Sequence, residues 1–356
     1  MMHYICCAIL ILMIMAGQVC IRMMGRRGFG MVDLKELNSI KLRSFPIGQW
    51  IAANFFLTPN YKLFSRVKIV IENIEQIPKG ETVIYAMNHT DRYNYFPFQY
   101  QIYRAGGFNH TTIWTKGKYF HNPFVGGVLK RFGAIPLLSK GYLVEEFFRK
   151  LYDRKISLEE YRLIKDLMDK KIQMAEAYHR ASHDVKSLLS DKWHSLYNPD
   201  RWQKITDMKD SFLQYLEDHY SVLMDKVAQM TYTAIYEKNL SLIVFPEGTR
   251  GSILGEGKTG IAQLALNTGL KVVPVGCNNS DVIYPGNSPI AKSGTVVYRI
   301  GEPLSVHDAF KDFKIDRAFK LFSKESQQQY KNNFEEATRL IMDKINTLLD
   351  EKYRIR

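Results

Sequence analysis

The stretch TVIYAMNHTDRYN, residues Thr82 to Asn94, decides the fold. It begins with a continuous apolar run, which suits a strand buried on both faces. Polar side chains follow at once, beginning with Asn88-His89. A second apolar run, Leu240 to Phe245, also ends in polar residues, Glu247 to Arg250. Because open α/β sheets bind ligands at the carboxyl ends of their strands, we expect both motifs at one edge of a sheet.

Further runs in the chain have the β-branched and apolar composition of short strands. They are Val67 to Ile71, Thr111 to Thr115, Ala134 to Leu138, Lys271 to Val275 and Thr295 to Ile300. Helical patterns separate most of them. The sequence therefore predicts an α/β fold, with a mixed, mostly parallel sheet flanked by helices, over residues 66–310.

A long helical pattern with almost no glycine interrupts this domain at residues 141–239. Ser157 and Glu160 have the spacing of a capping box. Asn198-Pro199-Asp200 divides the pattern into two long helices. We therefore expect an inserted helical hairpin that does not fold separately.

The last part of the chain, residues 311–356, is expected to form C-terminal helices. Ala318 to Leu349 is amphipathic, with apolar residues recurring at helical spacing. We expect this apolar stripe to pack on the sheet.

The chain of 356 residues has a formal net charge of +13 and is 46% apolar, enough for a core without disulfides. The basic excess fits anionic lipid or a phosphorylated substrate. No zinc-finger spacing or dense basic arm is present, so we expect no nucleic-acid partner. Cys277 stands alone in the body of the chain, which argues against a disulfide framework.

The N-terminal segment Tyr4 to Ile21 is apolar and uncharged. As a helix it would be about 27 Å long, just enough to cross a bilayer. Arg22 follows, with two more arginines close behind, and positive residues favour the cytoplasmic side. We expect a membrane anchor at residues 1–24 and a catalytic domain on the cytoplasmic side. A cleaved signal peptide, or a later start at Met24 or Met31, stays open as an alternative.

Residues 25–65 are expected to form a linker followed by an aromatic segment, Phe45 to Phe64. Many aromatic residues with few charges suit interfacial helices in the headgroup region of a membrane. An ordinary core helix has a similar composition, and both interpretations stay open.

Three motifs follow one another along the chain: Asn88-His89, Phe-Pro-Glu-Gly-Thr-Arg at 245–250 and Val-Pro-Val-Gly at 273–276. In this order they resemble the glycerolipid (lysophospholipid) acyltransferase family, which includes the 1-acylglycerol-3-phosphate acyltransferases. The resemblance extends from about Val67 to Leu304. It implies that family's α/β fold and its transfer of a fatty acyl group from a thioester to a lysophospholipid.

His89 has the side chain that such a transfer needs. A neutral imidazole can take the proton of the attacking hydroxyl near pH 7. A partner on the other ring nitrogen normally fixes the tautomer. In the family this partner is an aspartate five residues after the histidine, a position that Asn94 holds here. Asp91 is the alternative partner, so His89, Asp91 and Asn94 are the candidate catalytic residues, and a helix-capping His89 without chemistry is the alternative.

The second motif, Glu247-Gly248-Thr249-Arg250, has the composition of a site for the acceptor phosphate. An arginine can bind phosphate with two hydrogen bonds, and a glycine lets backbone N–H groups approach an anion. We expect Glu247 to order Arg250 or to bond a glycerol hydroxyl. A tight turn with a surface ion pair is the alternative.

Other candidates for substrate binding are lysines. The family has a phosphate-binding arginine after its Gly-x-Ile-Pro block, where this chain has Ser139, and Lys140 is the candidate replacement. Lys116 is a candidate for a phosphate of either substrate. His179 and His183 are spaced like a metal pair, but without a third ligand we expect no metal.

These observations favour a membrane-bound O-acyltransferase of phospholipid synthesis. Its donor would be a thioester of coenzyme A or acyl carrier protein, and its acceptor 1-acylglycerol 3-phosphate. Because no Ser or Cys motif for an acyl-enzyme is present, we expect direct attack by the acceptor hydroxyl, without a cofactor. Acylation of glycerol 3-phosphate or a glycolipid, and a non-catalytic lipid-binding protein, stay open.

Overall fold

The computed structural model describes residues 32–190, 193 and 211–355. Its centre is a seven-stranded sheet in the order β1-β7-β6-β2-β5-β3-β4. The strands are β1 (Val67–Glu72), β2 (Ile84–Met87), β3 (Thr111–Lys116), β4 (Ile135–Leu137), β5 (Ser241–Val244), β6 (Val272–Asn278) and β7 (Gly294–Ile300). Neighbouring strands run parallel except β6 and β7, which are antiparallel. The prediction of a mixed, mostly parallel sheet is confirmed, and each expected strand is present.

Strand β2 lies between β6 and β5, and all four of its residues are buried. This is the environment that its continuous apolar run predicts. Because β2 pairs in parallel with β5, with Ala86 opposite Val244, the carboxyl ends of the two strands lie at the same edge. The two polar motifs therefore start side by side.

Helices flank this sheet. In chain order they are α1 (Leu34–Ser39), α2 (Ile47–Ile51), α3 (Tyr95–Ala105), α4 (Pro123–Arg131), α5 (Lys140–Tyr152), α6 (Leu158–Met168), α7 (Met174–Arg180), α8 (His183–Leu189), α9 (Phe212–Tyr232), α10 (Gly260–Thr268), α11 (Ser280–Ile283), α12 (Lys324–Gln329) and α13 (Lys331–Thr347). Helix α9 contacts β4 and α5, which ties the inserted helices to the sheet.

The inserted helices differ from the expected hairpin. In place of one long first helix, the chain forms α5, α6, α7 and α8 in succession. Asp153 ends α5 in the left-handed region, at a φ of 52°. Ser157 and Glu160 then form the predicted capping box, and Ser182 caps α8. These short-range caps divide a stretch that hydrophobic periodicity alone presents as continuous. The expected break at Asn198-Pro199-Asp200 lies outside the described residues.

The C-terminal helix α13 is shorter than the predicted helical segment, because the helical structure begins only at Lys324 and breaks at Tyr330. Its apolar stripe includes Phe334, Ile341 and Ile345, which are fully buried. The helix contacts β6 and β2, so it packs on the sheet as expected.

The expected membrane anchor at residues 1–24 lies outside the described residues. Within residues 32–190 and 211–355, no helix is both long enough and apolar enough to cross a bilayer. The aromatic segment is helical: α2 continues into π-helical turns at Ala52–Leu57 and Pro59–Phe64. We call these three elements the apolar N-terminal helix.

The aromatic segment is packed on one side only. One side of the apolar N-terminal helix is buried against the body through Leu57 and Tyr61. The other side is exposed, with Phe55 at 58% and Phe64 at 61% of their full accessibility.

Candidate active site

The site lies where β2, β3 and β5 end. His89 follows β2, Lys116 closes β3, and the second motif follows β5. The imidazole of His89 stacks on the ring of Phe245, with 4.1 Å between the ring centroids. The sheet thus brings together residues that are far apart in the sequence.

Asn94 is the residue that orients His89. Its Oδ1 lies 3.2 Å from Nδ1 of the imidazole. Its Nδ2 donates to the backbone carbonyl of Asn88 at 2.8 Å. Its own carbonyl accepts a hydrogen bond from the hydroxyl of Tyr298 at 2.6 Å. These contacts hold a side chain that is completely buried.

The amide of Asn94 also fixes the tautomer of His89. Because Nδ2 is used by the carbonyl of Asn88, the oxygen of the amide must face the imidazole. An amide oxygen only accepts, so Nδ1 of His89 carries the proton. The other ring nitrogen, Nε2, is then unprotonated and can act as a base.

Asp91, the alternative partner, is engaged elsewhere. Its Oδ1 accepts the backbone N–H of Tyr93 at 2.8 Å, and its Oδ2 accepts the hydroxyl of Thr90 at 3.0 Å. A side-chain bond to the backbone two residues ahead is an Asx turn. Asp91 therefore shapes the turn between β2 and α3, and Asn94 occupies the position beside the imidazole.

The surroundings of His89 keep its imidazole neutral. Burial is the main cause that lowers the pKa of His89 to about 4, and the nearby charges of Arg250 and Lys116 lower it further. The hydrogen bond to Asn94 acts in the opposite direction. Lys116 in turn has a lowered pKa through burial and the nearby cations Lys118 and Arg250. A neutral base thus lies beside a cluster of positive charge.

Glu247 is bonded to two backbone groups of the site. Its Oε1 accepts the backbone N–H of His89 and its Oε2 accepts that of Gly255, both at 2.7 Å. Burial raises the pKa of Glu247, while these two bonds lower it in part. The carboxylate therefore joins the two motifs through their backbones and does not order Arg250.

The rest of the second motif faces outward. Gly248 adopts a positive φ of 66°, and its N–H donates to the carbonyl of Phe245 at 3.0 Å. This tight turn requires a conformation that glycine adopts readily. It leaves Thr249 and Arg250 exposed at the edge of the sheet. Arg250 is therefore free of the core and lies close to Lys116.

Lys140 is not part of this cluster. Its Nζ lies 2.6 Å from the carboxylate of Glu217 and over the ring of Tyr220, both on α9. Ser139 caps α5 by accepting the N–H of Tyr142. Both residues serve the inserted helices, which differs from the phosphate site expected for Lys140.

The described residues contain no group of three side chains suited to hold a metal ion. His179 and His183, spaced like a metal pair in the sequence, lie on two separate helices, α7 and α8. The two histidines therefore do not share one face of a helix.

Sequence reasoning missed three supporting residues. Asn88 pairs with the backbone of Cys277 on β6 through both atoms of its amide, at 2.7 and 3.0 Å. Phe245 supports the imidazole face, and Tyr298 holds the backbone of Asn94. Asn88 and Phe245 belong to the two motifs, so the sequence pointed to them as site residues. No sequence pattern marks Tyr298 on β7 as one.

Comparison with known proteins gives matches to acyltransferases. The Acyltransferase family model matches residues 215–278, which include β5, the second motif and β6 but not His89. A 1-acyl-sn-glycerol-3-phosphate acyltransferase of Cocos nucifera is 34% identical over 77 residues, which cover 21% of this chain and 25% of that protein. The chain therefore matches about a quarter of that relative's length.

Among solved structures, a crystal structure of the 1-acyl-sn-glycerophosphate acyltransferase of Thermotoga maritima aligns over 93% of this chain and 90% of its own. The sequence identity is 15% and the TM-score 0.35. The fold assignment rests on the order and direction of the seven strands, not on this alignment. The family model at residues 215–278 matches the part of the chain that contains the second motif and Val-Pro-Val-Gly, two of the motifs that carry the resemblance.

Proposed function

We propose that this protein is an O-acyltransferase that moves a fatty acyl group from an acyl thioester to the free hydroxyl of a lysophospholipid. The observation that carries the proposal is the hydrogen bond from Nδ1 of His89 to Asn94, which leaves Nε2 as a base beside Arg250 and Lys116. The thioester is a substrate, on coenzyme A or acyl carrier protein, and the reaction needs no other cofactor.

The chemistry is a direct transfer. Nε2 of His89 takes the proton of the acceptor hydroxyl as its oxygen attacks the thioester carbonyl. The tetrahedral intermediate collapses, the C–S bond breaks, and the thiolate takes the proton back from the imidazolium. An ester and a free thiol are formed, and His89 returns to its neutral form.

The positive cluster favours 1-acylglycerol 3-phosphate as the acceptor. Arg250 and Lys116 suit a phosphate, and in its absence they lower the pKa of His89. A bound phosphate would neutralise these charges and make the imidazole a stronger base. An acceptor that carries a phosphate would therefore activate the base that deprotonates its own hydroxyl.

We propose further that the exposed side of the apolar N-terminal helix lies in the headgroup region of a membrane. Trp50 and Phe55 contact each other there as exposed rings. Gln49 ties the helix to the body by donating to the carbonyls of Thr111 and Phe132 at 2.7 and 2.8 Å. Exposed aromatic side chains on a firmly held helix suit an interfacial position.

The acceptor test is thiol release from palmitoyl-coenzyme A with 1-acylglycerol 3-phosphate, monoacylglycerol or glycerol 3-phosphate. We expect release with the first acceptor only, and a loss of about 10- to 100-fold in kcat/KM for Arg250→Ala. Arg317→Ala, which changes an exposed arginine in the loop before α12, is the matched control. If no acceptor causes release, either from palmitoyl-coenzyme A or from a thioester of acyl carrier protein, the proposal is contradicted and a lipid-binding protein is favoured.

A further inference from the structure

The residues after α13 lie against the edge of the sheet that carries the site. Within them Tyr353, in the 3₁₀ turn Glu351–Tyr353, is only 2% exposed. Its carbonyl accepts the N–H of Leu254 at 2.8 Å. Its hydroxyl accepts the N–H of Asn279 at 3.1 Å and donates to Oδ1 of Asp281. Tyr353 is therefore bonded to two segments beside the site, the loop that contains Leu254 and the start of α11.

One of these is the loop that carries Arg250, residues 246–258, which we call the second-motif loop. Leu254 precedes Gly255, whose N–H donates to Glu247, and the same carboxylate accepts the N–H of His89. A short path thus leads from Tyr353 through the backbone of Leu254 and Gly255 to Glu247 and His89.

The C-terminal segment is itself firmly held. The N–H of Asp350 donates to Oδ1 of Asn278 at 2.7 Å, and Nδ2 of Asn278 donates to the carbonyl of Leu348 at 3.2 Å. Arg299 on β7 pairs with Asp350 at 2.8 Å. The C-terminal segment is therefore bonded to the ends of β6 and β7 through Leu348 and Asp350, and to the second-motif loop through Tyr353.

Helix α13 supports the same loop. A Cβ at Gly257 would meet side-chain atoms of Thr338 and Met342 at 2.7 Å, so the loop lies directly against the helix. Leu254 is 5% exposed, which shows that this part of the loop is packed as well as bonded. Arg250, in contrast, is exposed, and the backbone next to it is bonded to the first motif through the N–H of Gly251 and the carbonyl of His89 at 3.0 Å.

We propose that Tyr353 is a positioning residue: it fixes the second-motif loop through Leu254 and so keeps Arg250 in place for the acceptor phosphate. The identity of the ligand as an acceptor phosphate rests on the proposed function, whereas the bond between Tyr353 and the second-motif loop does not. Neither motif contains Tyr353, and its hydrogen bonds go to Leu254, Asn279 and Asp281.

The experiment compares the wild type with four variants of the full-length protein. Tyr353→Ala removes the buried ring and its hydroxyl, and a stop after Asp350 removes the carbonyl that Leu254 bonds. Tyr353→Phe keeps the ring and the carbonyl. Glu351→Ala, an exposed change in the same turn, is the matched control.

The first measurement is hydrogen exchange of the second-motif loop, which needs no substrate. We expect exchange at residues 254–255 to rise about tenfold or more in Tyr353→Ala and in the truncated protein. The Phe variant and the Glu351 variant should stay near the wild type, because both keep the buried ring that holds the carbonyl of residue 353 against the N–H of Leu254. Unchanged exchange in the truncated protein would overturn the proposal, whatever the activity.

The second measurement separates positioning from a general loss of structure. We expect the KM for 1-acylglycerol 3-phosphate to rise about five- to tenfold in Tyr353→Ala and in the truncated protein, with the KM for the thioester nearly unchanged. A KM for the acceptor in Tyr353→Phe close to that of the wild type would support the role of the ring and the carbonyl. A parallel loss for both substrates, with exchange raised throughout the protein, would overturn it. If the wild type transfers no acyl group but hydrogen exchange in the loop still rises in Tyr353→Ala, the proposed function is contradicted. The role of Tyr353 in fixing the loop is then still supported.

Discussion

Replacing Asn94 with aspartate gives the position its usual residue in the family that this chain resembles, yet we expect no large gain in activity. In a serine-protease triad the change from aspartate to asparagine costs about 10⁴ in rate, because the histidine is held in the wrong tautomer. Here Nδ2 of Asn94 is bonded to the carbonyl of Asn88, so the amide already selects the productive tautomer. A carboxylate would therefore add charge but no better orientation.

The structure sets the size of the effects. In Asn94→Asp an oxygen would replace Nδ2 at 2.8 Å from the carbonyl of Asn88, in a fully buried position. Loss of this bond should lower the free energy of unfolding by about 1–3 kcal/mol. The second oxygen would face Nδ1 of His89, and an opposite charge at that distance should raise the pKa of His89 by about 1–3 units.

Thermal unfolding and the pH dependence of kcat/KM test this, with Asn38→Asp as a control for the added charge on an exposed asparagine. We expect Asn94→Asp to unfold at lower temperature, to lose activity at a higher pH on the acid side, and to gain less than about tenfold in kcat/KM at pH 7. A gain near 10⁴ would refute the inference that Asn94 already fixes the tautomer. Unchanged stability would refute the hydrogen bond to Asn88.

Further variants test other parts of the account. Since protonation of His89 removes the base, kcat/KM should be flat near neutral pH and fall only as the pH drops through the pKa of about 4, measured from pH 3.5 to 8. Glu247→Gln should lose one of two backbone hydrogen bonds and destabilise the fold by about 1–3 kcal/mol in a denaturant titration. Lys140→Ala should leave the KM for the acceptor unchanged, because Lys140 pairs with Glu217. A large rise in this KM would show that Lys140 binds the acceptor. Phe55→Ser should weaken binding to anionic lipid vesicles in a flotation assay without lowering stability, and equal binding would contradict the interfacial position.

The sheet was predictable from the sequence because its strands are short apolar runs that end in polar residues. In β2 and β5 this pattern reflects burial on both faces, which local composition records directly. The position of His89 and Arg250 at one edge of the sheet was predictable because open α/β sheets place ligand-binding residues at the carboxyl ends of their strands.

Other features depended on contacts that the sequence does not record. The choice between Asp91 and Asn94 was decided by a turn, in which Asp91 bonds the N–H of Tyr93. Lys140 was placed in the site by its neighbours in sequence, but Glu217 on the distant helix α9 binds it. Helical periodicity predicts a hairpin for the inserted helices because it does not show where a residue such as Asp153 turns the chain.

The most direct test of the central claim is acceptor-dependent thiol release by His89→Ala, measured beside the wild type and His307→Ala, a change of an exposed histidine. If His89 is the base, its loss should lower kcat by about 10²–10⁴ with little change in either KM, while His307→Ala should match the wild type. Thiol release by His89→Ala at the wild-type rate would contradict the role of His89 and the mechanism built on it.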